Sequence, residues 1–103
     1  MAVKIIWTKT AAIQRRKILS YWTKRNKSAT YPKKLVIEIA QRVHFLSNNP
    51  HVYIKTNFSD IRASTLGHYN IFYKTTSTEL IIMAFWDNRQ NPKTLSEILE
   101  NKT

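Results

Sequence analysis

Arg62 and Arg89 are the two residues of this 103-residue chain best suited to chemistry on a phosphate. Arginine carries a planar fork of N–H donors that can grip a phosphate at two points. Arg62 falls within an apolar-polar alternation, opposite in facing to Ile61 and Ala63, and Arg89 comes three residues after an apolar run ends at Trp86. Converging from different strands on one concave sheet surface, the pair could clamp a phosphate and stabilise charge built up in phosphoryl transfer. The competing reading makes each a surface arginine paired with Asp60 or Asp87. Asp87 is a candidate base, although Asp87-Asn88 also suits a strand-end turn. Lys55 and Lys74 could each touch a phosphate, and His68 reads as a turn residue. No nucleophile–base pair has diagnostic spacing.

Charge adds a second signal. Lys and Arg total 17 against 6 acids, a formal net charge of +11. Residues 1–34 hold Lys4, Lys9, Arg15, Arg16, Lys17, Lys24, Arg25, Lys27, Lys33 and Lys34, and the first acid is Glu38. All but one unit of the net charge therefore sits in the first third. Such asymmetry points to an anionic partner: nucleic acid, a membrane surface or an acidic protein segment. Arg16, Lys17, Lys24, Arg25, Lys27, Lys33 and Lys34, with Lys55 and Lys74, are the candidate phosphate contacts for an RNA partner. The alternative is a solvated helix face.

Composition excludes other classes. The chain has no Cys, hence no disulfide, thiolate zinc site or Cys nucleophile. His44, His51 and His68 are too far apart for a metal-binding spacing, so no metal and no cofactor are expected. The single Gly excludes phosphate-binding glycine loops. The longest apolar run, residues 80–86, is far short of the roughly 20 residues a bilayer-spanning helix needs. With no signal-peptide pattern at the start, a soluble, cytoplasmic protein without a membrane partner is expected.

The elements that must position these residues are legible in outline. Residues 3–7 read as a strand, and Thr8 or Thr10 caps a helix over about 10–25. Ala11, Ile18 and Trp22 fall together on that helix, flanked by Ala12 and Leu19. Arg15 lies inside this apolar stripe, and either snorkels to its edge or lines a groove used by a partner. After Asn26-Lys27-Ser28 a second helix runs to Leu46 or Ser47, with Pro32 in its first turn and Leu35, Val36, Ile39, Val43 and Leu46 buried. The short break folds the two helices into an antiparallel hairpin. Residues 50–58 read as loop. Strands follow at 61–66 and 69–74 around a Gly67-His68 turn, with Tyr69 and Tyr73 on one face and Phe72 on the other. Residues 80–86 are apolar throughout, as in a central strand covered on both faces. Thr94 and Glu97 would box the start of a short terminal helix carrying Leu95, Ile98 and Leu99. The expected architecture is one α+β domain over 1–103, ordered β-α-α-β-β-β(-α), with the hairpin on one face of a small, mostly antiparallel sheet.

Four stretches together resemble the RelE/ParE superfamily of small toxins from type II toxin–antitoxin systems. They are Ile6-Trp7-Thr8 with Ala11 and Gln14; Ile18 with Tyr21-Trp22; Arg62 with residues 69–73; and residues 85–92, Phe-Trp-Asp-Asn-Arg-Gln-Asn-Pro. The resemblance spans about residues 3–99 and implies the same fold. It also implies a growth-inhibiting toxin neutralised by a cognate antitoxin, with RelE-like members cutting mRNA in the ribosome and ParE-like members poisoning DNA gyrase. Arg62 matches the family's strand arginine, and Arg89 matches the arginine after its last strand. Several members carry a Tyr where this chain has Leu95, and Arg15 replaces a usual apolar residue.

Three functions follow as expectations. The first is a ribosome-dependent mRNA interferase, an endoribonuclease with Arg62, Arg89 and Asp87 as catalytic residues and ribosome and mRNA as partners. The second is a non-enzymatic ParE-like toxin of DNA gyrase, and the third a non-toxic basic nucleic-acid-binding module. Plasmid stabilisation is the biological setting that the resemblance implies.

Overall fold

The computed structural model describes residues 3–26, 30–52, 55, 56, 58 and 60–100. Its elements are β1 (Lys4–Trp7), α1 (Lys9–Asn26), α2 (Thr30–Asn48), β2 (Arg62–Leu66), β3 (Tyr69–Thr75), β4 (Glu79–Asp87) and α3 (Pro92–Glu100). The four strands form one sheet in the order β1-β4-β3-β2. β1 runs parallel to β4, and the other two pairings are antiparallel. The α+β architecture and its element order match the expectation. Its seven consecutive apolar residues place β4 in the sheet interior.

Alternation along the strands divides the core in two. On one face Tyr69, Ile71, Tyr73, Leu80, Ile82 and Phe85 pack against Ala11 of α1 and Leu35, Ile39, Val43 and Leu46 of α2. On the other, Ile61, Phe72, Met83, Ala84 and Trp86 pack against Leu99, with Leu95 and Ile98 beside it. The terminal helix thus covers the face opposite the hairpin. One expectation about it fails: Thr94 does not begin α3. The Asn91 side chain accepts the Lys93 N–H at 2.9 Å, so Asn91 is the cap and Pro92 takes the first helical position. Val36 is also not buried but 48% exposed. The wheel that buries Leu35 and Ile39 turns Val36 aside.

Two local devices shape β4. Phe72 pairs with Ala84 and Tyr73 with Ile82, so Met83 is an extra residue, a β-bulge. Met83 and Ala84 both face α3, and beyond them Phe85 and Asp87 return to the hairpin face. The second device completes the strand edge. β1 pairs only as far as Trp7 opposite Ile82, which leaves the later part of β4 without a partner strand on that side. The Thr8 backbone N–H reaches the Ile82 carbonyl at 3.1 Å. The Thr8 hydroxyl donates to the Met83 carbonyl at 3.3 Å and accepts the Ala11 N–H at 3.1 Å, which makes Thr8 the cap of α1. Gln14 Oε1 accepts the Phe85 N–H at 2.8 Å. Thr8 and Gln14, both in the stretch that carries the first part of the resemblance, therefore do backbone work that a longer strand would otherwise do.

Gly67 closes the β2–β3 turn with φ of +61°, a conformation that side chains with a Cβ adopt at a cost. At the far side of the sheet, Arg42 of α2 donates to the Ser64 hydroxyl at 2.9 Å and to the Thr65 carbonyl, tying the hairpin to edge strand β2.

Candidate functional site

Three surfaces carry the residues singled out above. The first is a cleft of about 320 Å³ at the end of the sheet, lined by Lys17, Ile18, Tyr21 and Trp22 of α1, Tyr69, and Asp87, Arg89 and Gln90. Trp22 lies in the apolar stripe of α1, and its indole N–H needs an acceptor once partly buried. It donates to the Tyr69 hydroxyl at 2.7 Å. Burial pushes the Tyr69 pKa up, and the Trp22 bond opposes that shift. Tyr69 stacks on Phe85 with centroids 5.2 Å apart, and stands opposite Asp87 in the β3–β4 register. Arg89 Nε and Nη2 donate to the two Asp87 carboxylate oxygens at 2.9 and 2.8 Å, and the Arg89 backbone N–H donates to the same carboxylate. Those Arg89 hydrogen bonds hold the Asp87 carboxyl below its ordinary range, and Asp87 in turn raises the Arg89 guanidinium. The reading of Arg89 as a surface arginine paired with Asp87 is the one the geometry realises.

The second surface lies at the opposite end of the strands. Arg62 lines a cavity of about 390 Å³ with His51, Lys55, Asp60, Lys74, Thr75 and Thr76. Lys55 and Arg62 form an isolated antiparallel bridge within the segment expected to be loop. Arg62 Nη1 also approaches the His51 carbonyl at 3.5 Å. Arg62, Lys55 and Lys74 are thus brought together, but Arg89 is not with them. Arg62 stands opposite Tyr73, which stands opposite Ile82. From Ile82 to Asp87 the strand covers about 17 Å. The expected convergence of Arg62 and Arg89 on one phosphate does not occur, because the two mark opposite ends of the same sheet.

The third surface is an apolar groove of about 510 Å³ between β1 and the helical hairpin. Ile5, Trp7, Arg15, Leu19, Val36, Ile39, Ala40 and Val43 line it. The Arg15 guanidinium lies over the Trp7 ring at 4.2 Å from its centroid, within cation–π reach. Arg15 therefore lines a groove wall. Ile37 is 57% exposed beside Val36.

The remaining basic residues follow the helices. Arg16, Lys17, Lys24 and Arg25 of α1 and Lys33 and Lys34 of α2 are exposed, and α1 contains no acid. Lys27 lies outside the described residues. Among the described residues no three His, Cys, Asp or Glu side chains gather as metal ligands, and no helix is long and apolar enough to cross a membrane. Sequence reasoning missed the Trp22–Tyr69 bond and the α2 residues that wall the groove beside Arg15. The available signals were an indole N–H on an apolar stripe and a basic residue beside it.

No curated protein matches the chain in sequence. Among solved structures, a chain described as "Chromosomal ParDE TA system from P. aeruginosa" shares the fold with a TM-score of 0.70. The two are 18% identical, and the match covers 82% of this chain and 94% of the other. The family model described as "ParE toxin of type II toxin-antitoxin system, parDE" matches residues 5–92, from the groove strand to the first residue of α3. The chain belongs to the ParE toxin family of type II toxin–antitoxin systems.

Proposed function

We propose that this ParE-family toxin arrests growth by binding DNA gyrase, without bond-making chemistry of its own. The observation that carries this reading is the separation of the two arginines. Cleavage by a ribose 2′-OH needs a base, an acid and cationic stabilisers around one phosphate. Here Asp87 is committed to Arg89, and Arg62 lies at the other end of the sheet. Leu95, where several RelE-like relatives carry a Tyr, packs with the apolar cluster under α3. The family match supports the same choice.

The partner that silences the toxin is a cognate antitoxin, and the groove beside Arg15 suits an amphipathic segment with an acidic residue. Apolar side chains would fill the space between Val36, Ala40 and Leu19, and a carboxylate would meet the Arg15 guanidinium. Location in the cytoplasm follows from either target.

A second reading has one observation in its favour. Arg62, Lys55 and Lys74 share a cavity with His51, a cationic set that could hold the phosphate of an mRNA on the ribosome. One experiment separates the two. Full-length toxin is added to gyrase supercoiling and cleavage-complex assays, and mRNA ends are mapped after induction in cells. Gyrase inhibition with unchanged mRNA ends is expected. Unaffected gyrase with new mRNA ends, abolished by Arg62→Ala with Lys74→Ala, would overturn the proposal in favour of the second reading.

A further inference from the structure

We infer that the outer face of α1 formed by Lys17, Tyr21, Lys24 and Arg25, together with Arg89, binds single-stranded DNA, with an unpaired base stacked on Tyr21. The gyrase reading supplies the choice of DNA over RNA, and the surface itself is argued from geometry. Residues 17, 21, 24 and 25 recur at helical spacing and so share one face of α1. Lys17 and Tyr21 line the same cleft as Arg89.

Tyr21 is the unusual member. Its side chain is 51% exposed on a helix whose other aromatic, Trp22, is drawn into the cleft. The two rings meet edge-on at 5.2 Å and 81°. Trp22 is also edge-on to Tyr31 of α2 at 5.0 Å and bonded to Tyr69, so the neighbour that braces Tyr21 is fixed on two sides. A Tyr held this way loses little freedom when a planar ligand stacks on it. The Arg25 guanidinium lies over one face of the Tyr21 ring, 6.0 Å from its centroid, so a base would stack on the other face or take the place of this loosely seated cation. Across the cleft, the Arg89 side chain is 54% exposed. Its pair with Asp87 uses Nε and Nη2, and Nη1 lies outside those bonds.

Chemistry selects the ligand. Cations without acids on α1 call for a polyanion. An exposed aromatic among them suits a ligand that repeats a π-face beside every charge, as a nucleic-acid strand does. Duplex DNA hides its base faces in the stack, whereas a single strand offers them.

The test is fluorescence anisotropy of the full chain with a labelled ten-nucleotide oligothymidylate across a salt series. Tyr21→Ala should weaken binding about tenfold, and Tyr21→Trp should restore it. Lys17→Gln with Lys24→Gln should flatten the salt dependence by about 1.4 in log–log slope. Lys33→Gln with Lys34→Gln, the same charge removed from α2, should change affinity less. The inference is overturned by a Tyr21→Ala protein that binds like the parent, by equal effects of the two lysine pairs, or by duplex, RNA or polyglutamate binding as tight as that of the oligothymidylate. Gyrase assays on the same proteins keep the proposals apart. Oligothymidylate binding without gyrase inhibition removes the gyrase reading, and gyrase inhibition without oligothymidylate binding removes this one.

Discussion

The side-chain carbonyl of Gln14 accepts the backbone N–H of Phe85 at 2.8 Å, so a helix side chain finishes the hydrogen bonding of a central strand. A partly buried amide with no acceptor costs its full desolvation, about 1–3 kcal/mol. Gln14→Leu, similar in size but without an acceptor, should destabilise the fold by about that much. Urea unfolding monitored by Trp fluorescence measures it. Gln14→Glu, which keeps an acceptor, should cost less at neutral pH.

Trp22 and Tyr69 form another polar tie between α1 and the sheet, at 2.7 Å. Trp22→Phe and Tyr69→Phe each remove one partner. Either change should cost about 1 kcal/mol from the hydrogen bond, with added packing loss for the smaller ring at position 22. The double variant should cost less than the sum of the two, because the second change removes a group already left unpaired. Additive costs in a double-mutant cycle would show that the bond contributes nothing to stability.

Acid stability should depend on Asp87. Its carboxyl titrates below the ordinary range because Arg89 donates hydrogen bonds to it. A depressed folded-state pKa contributes stability that is fully present above the unfolded value of about 3.9 and is lost as pH falls through the folded one. Asp87→Asn should therefore unfold with a flatter pH dependence between about pH 5 and pH 2 than the parent. Arg89→Gln should raise the Asp87 pKa toward its ordinary value, which carbon-detected NMR titration of the carboxyl resolves.

The sequence disclosed the fold more fully than the site, for identifiable reasons. Helix stripes and strand alternation are periodic, so Leu35, Ile39, Val43 and the interior position of β4 follow from spacing alone. Arg62 and Arg89 illustrate the limit. Both sit where an arginine could meet a phosphate, but which end of a sheet each occupies depends on strand order and register, and alternation encodes neither. Thr94 with Glu97 satisfied a capping pattern, yet Asn91-Pro92 satisfied a stronger one three residues earlier. Arg15 was visible as an anomaly in an apolar stripe. A groove was one of its two readings, but the opposite wall was not legible, because it comes from Val36 and Ala40 on another helix.

Leu99 anchors α3 and is 1% exposed. Leu99→Ala should cost about 2–5 kcal/mol if α3 stays docked around the cavity. Release of α3 instead would uncover Trp86, Met83 and Phe72 on the sheet face it covers. Hydrogen exchange distinguishes the two outcomes, with β4 and α3 amides losing protection together only in the second. Docking with faster exchange confined to α3 is expected, since Leu95 and Ile98 remain as contacts.

The extra residue at Met83 acts as a phase shift in the sheet. Before it, even-numbered positions of β4 face the hairpin; after it, odd-numbered ones do. Asp87 reaches Arg89, Tyr69 and the α1 cleft only because the chain has changed parity on the way. Removing one residue at this point would leave the hydropathy of the strand nearly unchanged. It would also send the carboxylate to the side of α3, separating it from Tyr69 and the Trp22 cleft. The composition of the cleft is thus set by the length of a strand as much as by the residues within it.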